Sequence, residues 1–372
     1  MDYVKLKDVC KINMGQSPDS DSYNDNGHGV PFFQGNADFG ERYPITRKWC
    51  SAPNKMAAPE DILISVRAPI GAMNYAKEEC CIGRGLAALT PNREKVSPEY
   101  IFWLLKGKNE ELNSKGTGST FKAIGRNILE ETLVPDISLE KQTECSIILE
   151  KVYRVILSRK QQLQKLDELV KARFVELFGD PQRNPHGHKH TKLSDIATYY
   201  NGLTYKPENV AEEGTIVLRS SNIQNSQLDF ADTVRVDCAI KERLMVQKND
   251  ILMCSRNGSA KLVGKVALIK DTQEPMSFGA FMMIIRSHYF GYLMTYFQMD
   301  AFRQQIKTGA TTTINQITGR MLDDVTIPLP PMALVDQFAA FVEQTDKSKV
   351  AIQKALDETQ LLFDSLMQKY FG

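Results

Sequence analysis

A long internal repeat constrains this chain more than any other feature of its sequence. The segment VKLKDVCKINMG, starting at Val4, is matched by TKLSDIATYYNG, starting at Thr191, and EDILISVR returns as NDILMCSR 189 residues later. Further along, GTGSTFKAI at Gly116 is matched by GATTTINQI at Gly309. The matches keep their order at offsets of 187 to 193 residues, which is far too long for the period of a solenoid. We therefore expect a duplicated domain.

Each copy shows the same order of local patterns. DILISV and DILMCS are short apolar runs that predict strands. A helix is expected next, at SPEYIFWLLK in the first copy, where Ser97 is suited to the N-cap and Pro98 to the first helical position. In the second copy the corresponding helix is YFGYLMTYFQMDAFRQQI. The glycine- and hydroxyl-rich segment follows in both copies, before a proline-marked exit and a long helix.

Two stretches predict unusually long helices. Apolar side chains recur three and four residues apart from Leu139 to Phe178 and again from Leu334 to Phe371, which is the spacing of a coiled-coil seam. Forty residues of helix extend for roughly 60 Å at 1.5 Å per residue. We expect the two helices to pair with each other in an antiparallel coiled coil. The alternative is that each helix packs on its own globular domain.

These patterns together predict an α+β fold with two similar mixed α/β domains joined by two long helices. The expected boundaries are 1–138 for the first globular domain, 139–180 for the central helix, 181–333 for the second globular domain and 334–372 for the C-terminal helix. The two long helices are expected to form a rigid spacer between two similar globular domains. Such a protein suits a ligand with two separated sites along its length, and duplex DNA is the obvious example.

Composition narrows the class of protein without identifying a partner. The 372 residues carry a net charge of +1, so any nucleic-acid surface must be local rather than a property of the whole chain. We find no apolar run near the roughly 20 residues that a membrane span needs and no signal-peptide core at the N-terminus. The seven cysteines form no C-x-x-C pair. We therefore expect a cytoplasmic protein with mostly buried thiols and no membrane partner.

The repeated segments resemble those of specificity (S) subunits of type I restriction–modification systems. The resemblance covers the whole chain and rests on KLKDVCKINMGQSP at the start, KGTGSTFKAI with LVPDISLEKQ, and TGATTTINQI with TIPLPPMALVDQ. The helix exits ARFVELFGD and LFDSLMQKYFG are also similar to the family. The order of the segments is more specific than any one of them alone.

The resemblance implies a non-catalytic subunit that reads double-stranded DNA. In the family each recognition domain reads one half of a gapped, asymmetric site. The helices set the gap and dock two methyltransferase subunits, which bind S-adenosylmethionine and methylate adenine. Restriction subunits add ATP-driven translocation and cleavage. The S subunit itself is therefore expected to carry no cofactor.

Three patterns that would point to other chemistry fail on inspection. The chain lacks the Asn/Asp-Pro-Pro-aromatic motif of an adenine methyltransferase. GTGSTFK does not satisfy G-x-x-x-x-G-K-[ST], so it predicts no nucleotide-binding loop. HGHKH at 186–190 offers three alternating histidines, but no cysteine or carboxylate completes an obvious metal shell. We interpret HGHKH as a solvated linker and expect no metal.

Candidate DNA contacts are polar or basic residues in loops at repeated positions. Arg67 in SVRAPIG aligns with Arg256 in CSRNGSAK. Side chains of this type can pair with base edges or with phosphates. The full set of candidates is Gln16, Gln34, Asn36, Arg67, Arg84, Ser119, Thr120, Lys122, Tyr205, Arg219, Asn222, Arg256, Asn257, Lys261, Thr312, Thr313 and Asn315.

The sequence leaves structural alternatives open for these residues. Arg67 and Arg256 also suit structural salt bridges, and Asn36 and Asn222 also suit turn capping. The repeated segments from Gly116 to Lys122 and from Gly309 to Asn315 either seat each domain on phosphates, form a hinge, or dock the methyltransferase. CCIGRGLAAL contains Arg84 whereas its counterpart MSFGAFMMII has no basic residue, which favours two different half-sites.

Two other functions remain open from the residues alone. One is a coiled-coil adaptor that binds proteins rather than DNA, which the near-neutral net charge favours. The other is a specificity subunit that serves a fused nuclease–methyltransferase.

Overall fold

The computed structural model describes residues 2–118, 122–306 and 315–372. The chain divides into two compact units. The first unit contains Met1–Gln161 and Gln353–Gly372, and the second contains Gln162–Ile352. Among the described residues, no helix is both long and apolar enough to cross a bilayer. Six of the seven cysteine side chains are buried, as expected, and Cys238 is half-buried.

The strands of the first unit form two main sheets. A four-stranded antiparallel sheet has the order β2-β10-β7-β8, a five-stranded sheet has the order β3-β5-β4-β9-β6 with β4 and β9 parallel, and β1 pairs with β11. The strands are β1 (Tyr3–Lys5), β2 (Cys10–Met14), β3 (Tyr23–Asn24), β4 (Val30–Phe33), β5 (Trp49–Cys50), β6 (Met56–Ala57), β7 (Ile62–Ser65), β8 (Met73–Tyr75), β9 (Cys80–Ile82), β10 (Leu86–Pro91) and β11 (Leu133–Pro135).

Five helices begin among the described residues of the first unit, and the last of them, Leu139–Phe178, continues into the second. The helices are α1 (Leu6–Val9), α2 (Pro98–Gly107), α3 (Asn109–Ser114), α4 (Arg126–Glu130) and α5 (Leu139–Phe178). The prediction for the start of α2 is confirmed, because the Ser97 side chain accepts a hydrogen bond from the Tyr100 amide at 3.2 Å. This bond satisfies one of the amides that a helix leaves free at its start.

The second unit repeats this plan. The strands are β12 (Lys189–Lys192), β13 (Thr198–Asn201), β14 (Val210–Ala211), β15 (Thr215–Leu218), β16 (Ile223–Gln224), β17 (Gln227–Leu228), β18 (Arg235–Val236), β19 (Ile251–Cys254), β20 (Arg256–Asn257), β21 (Val266–Leu268), β22 (Met276–Phe278), β23 (Met282–Arg286), β24 (Asn315–Gln316) and β25 (Thr326–Leu329). The helices are α6 (Leu193–Ile196), α7 (Phe290–Tyr296), α8 (Asp300–Gln305), α9 (Gly319–Asp323) and α10 (Met332–Phe371).

Equivalent strands occupy equivalent places in the two units. The order β13-β23-β19-β21 repeats β2-β10-β7-β8, and β15 runs parallel to β22 as β4 does to β9. The predicted strands DILISV and DILMCS are β7 and β19, and all of their residues are buried. Continuous apolar runs suit such positions, because both faces of the strand are covered.

One predicted helix is wrong in its extent. The single helix expected at YFGYLMTYFQMDAFRQQI is two helices, α7 and α8, separated by a turn in which the Gln298 amide donates to the Thr295 carbonyl at 3.0 Å. The turn brings the rings of Phe297 and Phe302 to 4.8 Å between centroids. Packing inside the unit therefore overrides a helical periodicity that would otherwise continue.

The long helices contact each other inside each unit. In the first unit the Tyr153 and Phe363 rings lie 5.9 Å apart between centroids, and the Arg159 guanidinium donates to the Ala355 carbonyl and the Thr359 hydroxyl. Later residues of α5 meet earlier residues of α10, so these segments run antiparallel.

The same direction of pairing holds in the second unit. Lys349 Nζ lies 2.6 Å from Asp167 Oδ1, and the Phe338 ring lies 5.6 Å from that of Phe174 and 5.4 Å from that of Phe178. The residues on the predicted seam of both helices are buried or half-buried. Helix α10 begins at Met332, two residues before its expected start.

Candidate nucleic-acid interface

Three loops of the first unit bring predicted contact residues together. The Gln16 amide donates to the Ile82 carbonyl at 3.1 Å, which places the loop after β2 beside the turn between β9 and β10. Gln34, at the end of β4, donates from Nε2 to Ser17 Oγ at 2.8 Å. The same hydroxyl lies 3.5 Å from the Arg84 amide. The exposed side chains of Gln16, Gln34 and Arg84 therefore share one surface.

A glycine permits this close approach. A Cβ on Gly15 would lie 2.2 Å from the Gly83 carbonyl oxygen, so no other residue fits between the two backbones without movement. Asn36 is half-buried and begins a short 3-10 turn, where its carbonyl accepts from the Phe39 amide at 3.0 Å. Gly35 is the N-cap residue of this turn and no side-chain hydrogen bond caps it, so a DNA contact by Asn36 stays a prediction.

Arg67 and Lys122 lie on adjacent segments of the first unit. Both side chains are exposed, and the Ala68 amide donates to the Lys122 carbonyl at 3.0 Å. Backbone bonds between Thr117 and Ala123, at 3.0 and 2.9 Å, close the segment that contains the glycine-rich repeat. Two predicted contact residues of this segment, Ser119 and Thr120, fall outside the described residues.

The second unit has a pocket at the corresponding loops. Its volume is about 370 Å³, and its lining includes Tyr205, Arg219, Ser220, Ser221 and Phe281. The predicted candidates Tyr205 and Arg219 therefore share one concave surface. The loop that carries Tyr205 is held to the turn after β22 by a hydrogen bond from the Leu203 amide to the Phe278 carbonyl at 2.7 Å.

Arg219 forms an ion pair with Asp232 beside this pocket. Its Nη2 lies 2.7 Å from Asp232 Oδ1, but the alignment of the two groups is too poor for a hydrogen bond. Nε and Nη2 are both shielded from solvent and have no hydrogen-bond partner among the described residues. Shielded donors of this kind are costly unless something accepts from them.

The structure favours the capping alternative for Asn222. The residue is 1% exposed. Its Oδ1 accepts from the Arg219 amide at 2.8 Å, and its Nδ2 donates to the carbonyls of Asp229 and Asp232 at 2.8 and 3.0 Å. The side-chain amide is thus occupied in holding the loop, which favours capping by Asn222 over a direct base contact. Asn222 instead positions Arg219.

Arg256 and Asn257 form the short strand β20 of the second unit, and Lys261 lies in the turn that follows it. Strand β20 pairs with β24, with Asn257 opposite Asn315. Arg256 and Lys261 are exposed, whereas the Asn257 amide Nδ2 lies 3.4 Å from Ser220 Oγ at the pocket. The predicted contacts of Thr312, Thr313 and the Asn315 side chain fall outside the described residues.

Matching backbone hydrogen bonds make Arg67 equivalent to Arg256. In the first unit the amide of Val66, which precedes Arg67, donates to the Gly85 carbonyl at 2.9 Å. In the second unit the amide of Ser255, which precedes Arg256, donates to the Phe281 carbonyl at 3.0 Å. The alignment of the two arginines in the sequence therefore corresponds to one position in the fold. Arg67 enters none of the ion pairs found among the described residues, and neither does Arg256.

Sequence reasoning missed Phe281. This residue is 59% exposed at the turn between β22 and β23, and the Arg256 guanidinium carbon lies 5.9 Å from its ring centroid. In the sequence FGAFMMII it looks like part of a buried strand. The only local signal was Gly279, two residues earlier in SFGAF, which indicates a turn.

The histidines of HGHKH do not form a metal centre among the described residues, where no group of three or more metal-ligating side chains converges. His186 and His188 have ring centroids 5.7 Å apart. Burial and the nearby charge of His186 lower the pKa of His188. Asn184 organises this turn by donating to the His188 carbonyl at 2.7 Å.

Comparison with known proteins identifies the fold and its repeat. The family model described as type I restriction modification DNA specificity domain matches the chain twice, over residues 1–168 and 185–359. The chain belongs to this family. The family resemblance seen in the sequence is thereby confirmed, as is the internal repeat.

Three relatives show how the similarity is distributed. The putative type I restriction enzyme MjaX specificity subunit of Methanocaldococcus jannaschii is 41% identical over 161 residues, which are 43% of this chain and 38% of the relative. The EcoKI specificity subunit of Escherichia coli is 27% identical over 183 residues, 46% of this chain and 39% of the relative. These matches thus span about two fifths of either relative. The MjaIX specificity subunit of M. jannaschii is 23% identical over 402 residues, 99% of this chain and 92% of the relative.

Solved structures of the type I restriction–modification system share the fold of this specificity-family chain. The S subunit from M. genitalium aligns with a TM-score of 0.59 at 15% identity, covering 100% of this chain and 96% of that one. A chain from a study of complex assembly and conformational transition of the type I system aligns with a TM-score of 0.57 at 17% identity, covering 100% and 97%.

Proposed function

We propose that this chain is the DNA-reading subunit of a type I restriction–modification complex and that each unit reads one half of a gapped, asymmetric site. The observation that carries the proposal is the equivalent placement of Arg67 and Arg256, both exposed, on matching backbone positions of two repeated units. Arginine is well suited to bidentate contacts with guanine in the major groove.

The differences between the units support an asymmetric site. Gln34 follows β4 as Arg219 follows β15, since the Gly83 amide donates to the Phe33 carbonyl and the Gly279 amide donates to the Leu218 carbonyl, both at 2.9 Å. Turn residues 83–85 read Gly-Arg-Gly, and residues 279–281 read Gly-Ala-Phe. Two surfaces with one backbone plan and different side chains are expected to prefer different bases.

Lys122 supports the proposal because it is placed to contribute to DNA affinity without contributing to sequence preference. Its exposed ammonium lies on the segment next to Arg67, where a phosphate contact would fix the position of the unit on the duplex without reading sequence. We propose the same role for the equivalent segment around Asn315. A chain of net charge +1 neutralises few phosphates alone, so partner subunits are expected to complete the clamp.

We further propose that the two long helices form one antiparallel coiled coil, which sets the gap between the half-sites. The same helices would dock two methyltransferase subunits, and restriction subunits would join the complete complex. The proposed domain limits are 1–138, 139–180, 181–333 and 334–372. Antiparallel helix contacts inside each unit support the coiled coil. Apolar side chains that these helices leave exposed in the first unit support docking, namely Ile147, Ile148, Val155, Leu361 and Leu362.

Long-read detection of methyladenine tests the proposed function. Genomes of strains with the gene intact, deleted and restored are compared. The expected result is a gapped, asymmetric motif that disappears on deletion and returns with the restored gene. Identical methylation in all three strains would contradict the proposal, and the adaptor alternative would then be tested by identifying co-purifying proteins.

A further inference from the structure

We propose that Phe281 determines specificity in the second unit by contacting the C5-methyl group of a thymine in the half-site. This inference rests on the proposed function, because it names one contact within that function. Thymine is the only standard base that presents an apolar group in the major groove, and phenylalanine is among the side chains that can contact it.

The exposure of Phe281 is the first observation behind the proposal. The side chain is 59% exposed, although a large aromatic side chain usually contributes to stability by being buried. It stands at the rim of the pocket that contains Arg219 and Tyr205. An exposed apolar ring that shares a pocket with the Arg219 guanidinium is suited to a base edge, which carries acceptors and a methyl group side by side.

The backbone that presents Phe281 is held firmly. Its carbonyl accepts from the amides of Ser255 and Arg256 at 3.0 and 3.1 Å, and the next amide, that of Met282, donates to the Gly279 carbonyl at 2.8 Å. The turn between β22 and β23 is therefore fixed against the residues that follow β19. A side chain on a fixed backbone loses little conformational entropy on binding, which favours a specific contact.

The first unit cannot present a side chain at the same position. Gly85 is the equivalent of Phe281. The Gly85 carbonyl accepts from the amide of Val66, which precedes Arg67, and the Phe281 carbonyl accepts from the amide of Ser255, which precedes Arg256. A Cβ on Gly85 would lie 2.5 Å from the Gln34 carbonyl oxygen. An apolar group at this position is thus confined to the second unit, where it would distinguish one half-site from the other.

The charges around Phe281 favour DNA over an apolar protein partner. The Arg256 guanidinium carbon is 5.9 Å from the ring centroid, and Lys261 lies exposed in the turn that follows β20. If an apolar protein surface covered the ring, these cations would lose their hydration without gaining an anionic partner, which is energetically unfavourable. Against DNA the same cations would face phosphates or guanine, so the ring and its neighbours are suited to one ligand.

Uracil substitution tests the contact, since uracil lacks only the methyl group. The full-length chain is purified as its complex with the methyltransferase subunit, and its affinity is measured for duplexes in which each thymine of the target is replaced in turn. The expected result is that one replacement weakens wild-type binding by about fourfold, the value of one buried methyl group. The same replacement should leave the affinity of the Phe281→Ala complex unchanged, and Phe281→Leu should restore part of the effect.

Two results would overturn the inference. One is that every uracil replacement affects the wild-type and Phe281→Ala complexes equally, and the other is a half-site that contains no thymine on either strand. Val210→Ala is the matched control, because Val210 is 49% exposed on β14 of the same unit and outside the pocket lining; its complex should respond to uracil as the wild type does. If the Phe281→Ala complex keeps the wild-type base preference in the other half-site, the variant has folded. Failure of the complex to bind any specific duplex would instead refute the proposed function.

Discussion

Arg67 and Arg256 follow the same backbone hydrogen bond in their respective units. The residue before Arg67 accepts from the Ile124 amide at 2.9 Å, and the residue before Arg256 accepts from the Ile317 amide at 2.7 Å. Each arginine thus leaves a buried strand at the point where the glycine-rich repeat returns to the core. This shared position explains why the chain repeats the two segments together.

Replacing these arginines should damage one half of the DNA site at a time. We expect Arg67→Ala to relax base preference in one half-site and Arg256→Ala to relax it in the other, each by about 1–3 kcal/mol if the contact is to a guanine. Methyladenine mapping in strains that carry each variant measures the preference at every position. Arg93→Ala and Arg243→Ala serve as controls, because both side chains are exposed on other loops of the two units. Equal relaxation of both half-sites by one variant would refute the assignment.

Lys122→Ala distinguishes a phosphate contact from a hinge. If Lys122 contacts a phosphate, its removal should weaken binding to all sequences about equally and lower the slope of log affinity against log salt by about 1. Affinity is measured for specific and unrelated duplexes between low and moderate salt. Lys95→Ala is a control, since Lys95 is exposed on a different loop and donates to the Asp8 carbonyl at 3.2 Å. An unchanged salt slope for Lys122→Ala would support the hinge.

The fold was largely predictable because the duplication shows the sequence pattern of many of the helices and strands twice. The strands β7 and β19 follow from apolar runs at matching offsets, and α2 follows from the Ser97 cap. The break between α7 and α8 was not predictable, because packing of Phe297 against Phe302 decides it and no proline or glycine marks it in the sequence.

The candidate site was predictable for residue types that suit a single structural role, and it was not predictable for residue types that suit two roles. Arg256 has a charge that suits an exposed loop, and the structure places it there. Asparagine reads bases and caps turns equally well, so only burial shows that Asn222 does the latter. Phe281 was overlooked because an apolar residue next to a strand usually points into the core.

Asn222→Ala should destabilise the second unit. The buried side chain satisfies one amide and two carbonyls, and its loss leaves them without partners at a cost of about 1–3 kcal/mol. Urea unfolding measures the change. Ser221→Ala, at the half-buried preceding residue, is the control and should change the free energy of unfolding by less than about 0.5 kcal/mol. A stable Asn222→Ala protein with altered base preference would instead restore the direct-contact role.

The helix pairing in the second unit depends on Phe338. This residue is fully buried and lies against the rings of Phe174 and Phe178. Phe338→Ala should lower the free energy of unfolding by about 3–5 kcal/mol, since it removes a large side chain and leaves a cavity. Val350→Ala is the control on the same helix, because Val350 is 64% exposed, and it should have an effect below about 0.5 kcal/mol. Similar unfolding midpoints for the two variants would show that the aromatic contacts do not hold the helices.

Buried thiols should limit stability at alkaline pH. Burial raises the pKa of Cys10 and of Cys80 to about 12 from an ordinary value of 9.0. Between pH 9 and 12 the unfolded chain therefore loses these protons while the folded chain keeps them. Because the folded state then binds more protons, the free energy of unfolding must fall as pH rises through this window. Each thiol contributes a slope of at most about 1.4 kcal/mol per pH unit.

Comparing the wild type with Cys80→Ala isolates one of these thiols. Urea unfolding of both proteins at intervals from pH 7 to pH 10.5 gives the difference in free energy of unfolding. The difference should stay constant below pH 8, because the thiol is protonated in both states there. Above pH 9 the wild type should lose stability faster than the variant, so the difference should shrink with rising pH. Parallel curves over the whole range would mean that water reaches Cys80 in the folded protein, and that the strand β9 is less tightly covered than its burial indicates.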